Sequence, residues 1–276
     1  MALNSKLLCT GDPILDIYVS AEGHVIRRRG GAENIYSNIL SLLLNYPDLT
    51  PDSLKFVHPA PPLGGRFSTT LITDIDRIYT IVRAEPYDQD IHLTPKKYKD
   101  IFYCSDEHIF SQIVKHKPDI LVLGDYNKGA LNATAIPDKK IAKAPKVEIA
   151  IVDSRYRSLD PFWLSFSKLK IWHASGEEYD KKWAEQFDYV FHTDASNPVR
   201  IYKGNSLIGE AEVPKGTKVV NTCGAGDTFT AALAAKFFHS KNLDNIRMIK
   251  IAKFAIAACQ EVVSMPYTAT TKFRIK

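Results

Sequence analysis

The chain has 276 residues, of which 45% are hydrophobic and 24% charged, an ordinary composition for a globular protein with one large α/β domain or two small ones. No apolar run approaches the roughly 20 residues that span a bilayer, and the N-terminal residues do not resemble a secretory signal, so no membrane partner is expected. The net charge of +5 is spread along the sequence, which disfavours nucleic acid as a partner. The four cysteines are far apart and form no CxxC pair, which predicts free thiols and a cytoplasmic location.

The first half of the chain combines short apolar runs with one clear helical pattern. Apolar residues spaced three and four apart predict a helix directly after Gly30-Gly31. Five prolines predict an irregular segment over residues 47–66. The expected elements are strands at Leu7–Thr10 and Ile14–Val19, a helix at Ala32–Leu44, a strand pair at Ser68–Ile75 and Arg77–Arg83, and a helix at Tyr98–Lys117.

In the second half, apolar strands alternate with helical segments. This alternation predicts an α/β fold with a mostly parallel sheet and helices on both faces. Such sheets bind ligands beyond the carboxyl ends of their strands, so polar residues at those ends are the candidates for a site. The expected strands are Ile120–Leu123, Val147–Val152, Lys170–His173, Tyr189–His192, Val199–Tyr202 and Ser206–Glu210, and the expected helices are Thr134–Ala144, Glu177–Gln186, Thr228–His239 and Ile246–Val263.

The strongest local motif is the segment Asn221–Thr228. Its small residues Gly224, Ala225 and Gly226 let the backbone turn sharply, and their N–H groups at a helix start form a site for phosphate oxygens. Asp227 ends this turn, where a carboxylate can accept the proton of an attacking hydroxyl. The alternative is that Asp227 merely caps the following helix.

Three further segments place polar residues beside glycines. Asp12 and Asp16 follow the first strand and can hold sugar hydroxyls, or can serve as turn and cap residues. Gly31 and Asn34 lie at a helix start, where glycine permits close approach and the amide both donates and accepts. Lys128 lies in the loop after the strand at residues 120–123, where it can meet a phosphate.

The order of these segments resembles the ribokinase-like sugar kinases of the phosphofructokinase B (PfkB) family, over about residues 7 to 263. The segments Arg29–Asn34, Leu121–Leu131 and Val152–Arg155 are most similar to the heptose-phosphate kinase part of ADP-heptose synthases. The resemblance implies a single ribokinase-like domain over residues 1–276, a three-layer fold with a reduced β lid at about residues 16–30 and 68–85. A short lid suggests an open site and a monomer, with a homodimer as the alternative.

The resemblance also implies an activity, namely ATP-dependent phosphorylation of a hydroxyl on a sugar or sugar-like substrate, with ATP and Mg²⁺. The implied roles are Asp227 as the catalytic base, Gly224, Ala225 and Gly226 as the anion hole, Asp16, Gly31 and Asn34 for the sugar, Lys128, Thr222 and Thr193 for the nucleotide phosphates, and Glu177 for Mg²⁺ through water.

Several positions depart from the family pattern. Asn221 replaces the first acid of the Asp227 motif, and Ala174 replaces the asparagine of an Asn-x-x-Glu element. Residues 193–198 lack the glycines of the family's strand turn, so nucleotide binding is less certain than sugar binding. Ile72 and Asp74 stand where heptose-phosphate kinases carry basic residues, which disfavours the usual phosphorylated heptose.

Two alternatives remain open at this point. The first is a catalytically weak or inactive member that binds a sugar or nucleotide. The second is a nucleoside kinase, for which Tyr18 and Tyr36 would be the candidate stacking residues.

Overall fold

A computed structural model describes residues 5–20, 25–47, 49–57, 68–73, 79–85, 103–126, 130–131, 144–155, 157, 159–239, 244–266 and 268–275. Two sheets make up its β structure. The strands are β1 (Leu7–Gly11), β2 (Pro13–Ser20), β3 (Val25–Gly30), β4 (Leu54–Val57), β5 (Ser68–Thr73), β6 (Tyr79–Glu85), β7 (Ile120–Asp125), β8 (Val147–Ser154), β9 (Ser167–Ser175), β10 (Tyr189–Asp194), β11 (Asn197–Lys203) and β12 (Ser206–Ala211).

The main sheet has eight strands in the order β12-β11-β10-β9-β8-β7-β1-β4. From β4 to β10 every neighbouring pair is parallel, and β11 and β12 continue the sheet as an antiparallel hairpin. The parallel strands place their carboxyl ends along one edge, which positions the side chains that follow β1, β7, β8, β9 and β10. The second sheet, β3-β2-β6-β5, is antiparallel throughout and occupies the two stretches that the sequence assigned to a lid.

Helices cover both faces of the main sheet, which makes the three layers of the predicted α/β fold. They are α1 (Gly31–Leu43), α2 (Tyr103–His116), α3 (Lys181–Ala184), α4 (Ala225–His239) and α5 (Asn245–Val263). Side chains of α1, α4 and α5 pack in one apolar core with Leu7 and Cys9 of β1, whereas α2 packs on the other face with Leu8. Among the described residues, no helix combines the length and apolarity needed to cross a membrane.

Three sequence predictions about elements need correction. The segment predicted as irregular contains β4, which pairs in parallel with β1; only four residues long, this strand gave no pattern among the surrounding prolines. The helix predicted at Glu177–Gln186 is instead a 3₁₀ turn at Gly176–Glu178 followed by α3, because the side chain of Asp180 starts a new helix there. The helix predicted from Thr228 begins earlier, at Ala225.

Three further predictions fall partly on residues that the structure does not describe. The helix predicted at Thr134–Ala144 falls almost entirely outside the described residues, as does the start of the helix predicted at Tyr98–Lys117. The strand pair around Asp76 is present as β5 and β6, with the turn itself outside the described part.

Candidate active site

The centre of the candidate site is Asp227, in the first turn of α4. Its side chain is buried, and its Oδ2 accepts a hydrogen bond of 2.7 Å from the Asn34 amide of α1. Its Oδ1 accepts a hydrogen bond from the hydroxyl of Tyr126, which directly follows β7. We call Asn34, Tyr126 and Asp227 the Asp227 cluster. Since Asp227 is the third residue of α4, it is not the N-cap that the alternative sequence interpretation required.

The turn before α4 brings the Asp227 motif against α1. Gly224 has a φ of +83°, and a Cβ at this position would lie 2.8 Å from the Asn34 amide nitrogen, so a side chain would be strained and crowded there. Asn221, which replaces an acid of the family motif, accepts the N–H of Cys223 at 2.9 Å and thereby shapes the turn. The N–H of Ala225 donates to the Thr222 carbonyl at 3.2 Å, so this expected anion-hole donor would have to share its proton with a phosphate oxygen.

Asp12 has a structural role that its position in the sequence left open. Its fully buried carboxylate accepts the N–H of Tyr126 at 2.8 Å and that of Ala130 at 3.0 Å. It therefore ties the end of β1 to the loop after β7 and places the Tyr126 hydroxyl at Asp227. Sequence reasoning missed Tyr126, since its contact with Asp227 joins residues 101 positions apart.

Asp16 lies in β2 and faces the segment that follows α5. Its buried carboxylate accepts a hydrogen bond of 2.8 Å from the hydroxyl of Thr268. Tyr18 also bonds the Thr268 hydroxyl and accepts its N–H, and burial of the phenol raises the pKa of Tyr18 to about 12. Thr268 in turn lies against Gly224, since its methyl carbon is 2.9 Å from the position that a Cβ of residue 224 would occupy. Asp16 is thus linked to the Asp227 motif through Thr268.

Gly31 and the two tyrosines that were candidates for stacking pack against other parts of the protein. Gly31 has a φ of +57°, and a Cβ there would lie 2.6 Å from the Asp12 carbonyl oxygen, so the backbone itself requires glycine. Tyr18 is fully buried, and the ring of Tyr36 packs on Phe56 with the centroids 5.4 Å apart. Neither tyrosine presents a ring face to the pocket described next.

A pocket of about 480 Å³ opens beside the Asp227 cluster. Its walls are the end of β3, the first turns of α1 and the segment after α5, and Asn34 and Thr268 lie in its lining. Arg28, Arg29 and Lys272 line it as well. Asn34 therefore borders the pocket while holding the carboxylate of Asp227.

A second group of polar side chains lies at the carboxyl ends of β8, β9 and β10. The Thr230 hydroxyl donates to Asp153 Oδ2 at 3.0 Å and lies 2.9 Å from His173 Nδ1. His173 Nε2 lies 3.0 Å from the Thr193 hydroxyl, and the imidazole stacks on Phe229. We call Asp153, His173, Thr193 and Thr230 the His173 network.

Next to this network, the structure distinguishes two neighbouring glutamates. Glu177, the expected Mg²⁺ residue, is exposed. The side chain of Glu178 instead accepts the N–H of Ser175 at 3.0 Å and lies 3.7 Å from the guanidinium of Arg155. Burial, reinforced by the charge of Asp153, raises the pKa of Glu178 to about 7. Sequence reasoning missed Glu178 because its motif alignment ended one residue earlier.

The structure thus brings the expected base, turn and sugar residues together, and places Thr193 and Glu177 farther along the same strand-end edge. Thr222 is exposed beside the turn. Lys128 and Asp74 lie outside the described residues. Within the described part of the chain, no cluster of three histidine, cysteine or acidic side chains is arranged as a metal site.

Comparisons with solved structures identify the fold of the chain. The ribokinase of Thermotoga maritima is 15% identical, with a TM-score of 0.61 over 96% of this chain and 94% of that chain. The fructokinase of Vibrio cholerae O395 is 14% identical, with a TM-score of 0.58 over 98% and 96%. A nucleoside kinase of Methanocaldococcus jannaschii is 16% identical, with a TM-score of 0.56 over 97% and 95%. The fold of the chain is therefore that of the sugar and nucleoside kinases, which confirms the predicted fold class.

A match to the sequence model of a protein family adds to these fold comparisons. Residues 169–272, which run from within β9 to the segment after α5 and include the whole Asp227 motif, match the pfkB family of carbohydrate kinases. The match confirms the prediction of a kinase-type enzyme of the carbohydrate kinase class. No curated protein matches the chain.

Proposed function

We propose that the protein transfers the terminal phosphoryl group of ATP to a hydroxyl of a sugar or sugar-like substrate, with Asp227 as the general base. One observation carries this proposal: a buried carboxylate stands in the first turn of α4, directly after a glycine turn, and is held by Asn34 and Tyr126 from two other elements. Both donors are neutral, so the carboxylate keeps its capacity to take up a proton.

The arrangement suits phosphoryl transfer because that reaction depends mainly on positioning and charge stabilisation. The substrate hydroxyl would hydrogen-bond to Asp227, which accepts its proton as the oxygen attacks the terminal phosphorus and ADP leaves. The N–H groups at the start of α4, with the positive end of the helix dipole, would stabilise the charge on the transferred group. Gly224, Ala225 and Gly226 keep their proposed role as the anion hole.

ATP and Mg²⁺ fit the side chains at the strand-end edge. Mg²⁺ in kinases is bound by one or two carboxylates, by waters and by the nucleotide phosphates, so a cluster of three protein ligands is not needed. Glu177 is an exposed carboxylate just after β9, Thr193 lies in the neighbouring strand β10, and Thr222 carries an exposed hydroxyl in the turn before α4. We keep these residues, with Lys128, as proposed nucleotide contacts. The Vibrio fructokinase structure contains fructose, ADP and a calcium ion, which supports a nucleotide and a divalent cation in this fold.

The structure bears on both alternatives that the sequence left open. Asn221 shapes the turn before α4, so its presence does not by itself argue for an inactive protein. A nucleoside substrate stays compatible with the fold, although neither Tyr18 nor Tyr36 offers a stacking face. The heptose-phosphate kinase likeness stays a proposal about substrate. We also propose one domain with the second sheet as its lid, a cytoplasmic location, and a monomer or homodimer.

The test is a measurement of ADP release with purified protein, ATP and Mg²⁺ across a panel of sugars, sugar phosphates and nucleosides. We expect substrate-dependent release that Asp227→Asn abolishes. Substrate-dependent release by a nucleoside alone would move the assignment to the nucleoside kinases. Binding of a sugar without ADP release from any panel member would support the inactive alternative and contradict the proposal.

A further inference from the structure

The pocket beside the Asp227 cluster has an unusual charge. Three cationic side chains line it, Arg28 and Arg29 from β3 and Lys272 from the segment after α5. No carboxylate occurs among the described residues of the lining. Its volume of about 480 Å³ lies within the range of roughly 300–1,000 Å³ that small-molecule sites occupy.

These cations reach the pocket from two walls. Arg28 is the register partner of the buried Asp16 on β2, so part of its charge is balanced by that neighbour. Arg29 and Lys272 are both exposed and belong to different elements, one to the second sheet and one to the segment after α5. Cations held around one space repel each other unless an anion lies between them. Guanidinium groups in particular match the paired oxygens of phosphate or carboxylate.

The pocket is connected to the reacting centre by a single side chain. Asn34 lines the pocket and donates to Asp227 Oδ2 at 2.7 Å, so a molecule in the pocket would contact both the residue that holds the base and the cations of the lining. We infer, on the basis of the proposed kinase function, that the substrate carries an anionic group remote from the hydroxyl that is phosphorylated. Arg29 and Lys272 would bind that group.

This inference revises one expectation drawn from the sequence. Ile72 and Asp74 disfavoured the usual phosphorylated heptose, because heptose-phosphate kinases carry basic residues at those positions. The structure supplies cations from β3 and from the segment after α5 instead.

The experiment uses three matched ligands: a neutral hexose, the same hexose as its 6-phosphate, and the corresponding hexonate. ADP release and direct binding by calorimetry without ATP are both measured, with wild type and with the double variant Arg29→Gln/Lys272→Gln. Arg28 is left intact because it neighbours buried Asp16. The charge-matched control is Lys250→Gln/Lys253→Gln, at two exposed residues of α5 that do not line the pocket.

We expect the wild type to bind an anionic member about 10- to 100-fold more tightly than the neutral hexose, the ratio typical of charge-assisted hydrogen bonds. The double variant should lose this preference, and the control should keep it. Preference for the phosphate over the hexonate, or the reverse, identifies which anion the pocket takes. Equal binding of neutral and anionic members by the wild type would overturn the inference.

The two readouts separate this inference from the proposed function. Anion-selective binding without ADP release from any ligand would leave the inference standing and contradict the kinase proposal. ADP release at equal rates from neutral and anionic members, with equal binding, would leave the kinase proposal standing and overturn the inference.

Discussion

Two groups of polar side chains each include a residue from the first two turns of α4, and each contains a hydrogen-bonded carboxylate. They differ in what surrounds that carboxylate. In the Asp227 cluster, a carboxylate accepts hydrogen bonds from an amide and a phenol, and the amide also borders the pocket. In the His173 network, the carboxylate of Asp153 accepts a hydrogen bond from the Thr230 hydroxyl. The two imidazole nitrogens of His173 lie within hydrogen-bond distance of the hydroxyls of Thr230 and Thr193. The first group therefore borders a space for a ligand, whereas in the second the buried Asp153 and His173 bond to hydroxyls of the protein, and Thr193 is half-buried at the edge.

This difference has a consequence for the effects of substitutions. Removing a group that serves only the ligand changes the reaction and spares the fold. Removing one member of a closed buried network leaves its partners without hydrogen bonds, which costs stability. We therefore expect the two groups to respond oppositely in assays of turnover and of unfolding, and four substitutions test this from the largest expected effect to the smallest.

The largest effect is expected for Asp227→Asn. Asparagine has nearly the same shape but cannot accept the hydroxyl proton, so kcat should fall by about 10²–10⁴-fold. The Tm should change little, and nucleotide affinity should hold or rise because a negative charge near the phosphates is gone. Steady-state kinetics, nucleotide Kd and thermal unfolding measure the three quantities. A kcat like that of the wild type would show that the base lies elsewhere.

The second substitution, Glu178→Gln, concerns the residue beside the His173 network. Because burial raises the pKa of Glu178 to about 7, the folded protein favours the protonated form. The stability that protonated Glu178 contributes is fully present below about pH 4.3, the pKa of a glutamate in the unfolded chain. This stability is lost as the pH rises through about 7, the pKa in the folded protein. The variant should therefore gain stability relative to the wild type over this window, by up to about 3 kcal/mol.

The measurement is the free energy of unfolding of both proteins in urea between pH 4 and 8. Glu177→Gln is the matched control, since Glu177 is the adjacent and exposed glutamate. Parallel pH curves for wild type and Glu178→Gln would contradict the assigned burial of this carboxyl group.

Thr230→Val tests the closed network directly. The substitution keeps the shape of the side chain and removes the hydroxyl that bridges Asp153 and His173, leaving both buried groups short of a partner. We expect a loss of about 2 kcal/mol in the free energy of unfolding, with kcat of the folded protein within a fewfold of the wild type. Thr230→Ser keeps the hydroxyl and should retain most of the stability. A large fall in kcat at unchanged stability would place the network in the reaction itself.

Tyr126→Phe is expected to have the smallest effect, and it acts through the base. The phenol hydroxyl bonds Oδ1 of Asp227, so removing it should loosen the position of the carboxylate that accepts the proton. We expect kcat near neutral pH to fall by about tenfold, which corresponds to about 1.4 kcal/mol. Tyr46→Phe, at a half-buried tyrosine packed on Phe238 away from the cluster, is the control. An unchanged kcat would assign Tyr126 to packing alone.

Much of the fold could be predicted from the sequence because its signals are local. The buried run of β7 and the spaced apolar residues of α1 gave elements whose bounds agree to within a few residues. The short strand β4 was missed because its four residues are stabilised by pairing with β1, which no local pattern shows.

The site could be predicted only in its local parts. The glycine turn and Asp227 form one continuous motif, so their association with a helix start followed from the sequence. The contacts of Asp227 with Asn34 and Tyr126, and of Asp16 with Thr268, join residues 193, 101 and 252 positions apart. Contacts over such separations depend on the tertiary fold, and that is why Tyr126 and Thr268 had no role assigned to them.

The contact between Asp16 and Thr268 also governs when the site can first exist during synthesis. A ribosome adds roughly 5–20 residues per second, so about 13 to 50 s pass between the two residues entering the nascent chain. During that interval β2 is present while the hydroxyl that satisfies its buried carboxylate is not. The hydrogen bond that satisfies the buried carboxylate of Asp16 can therefore form only after 252 further residues have been added to the chain.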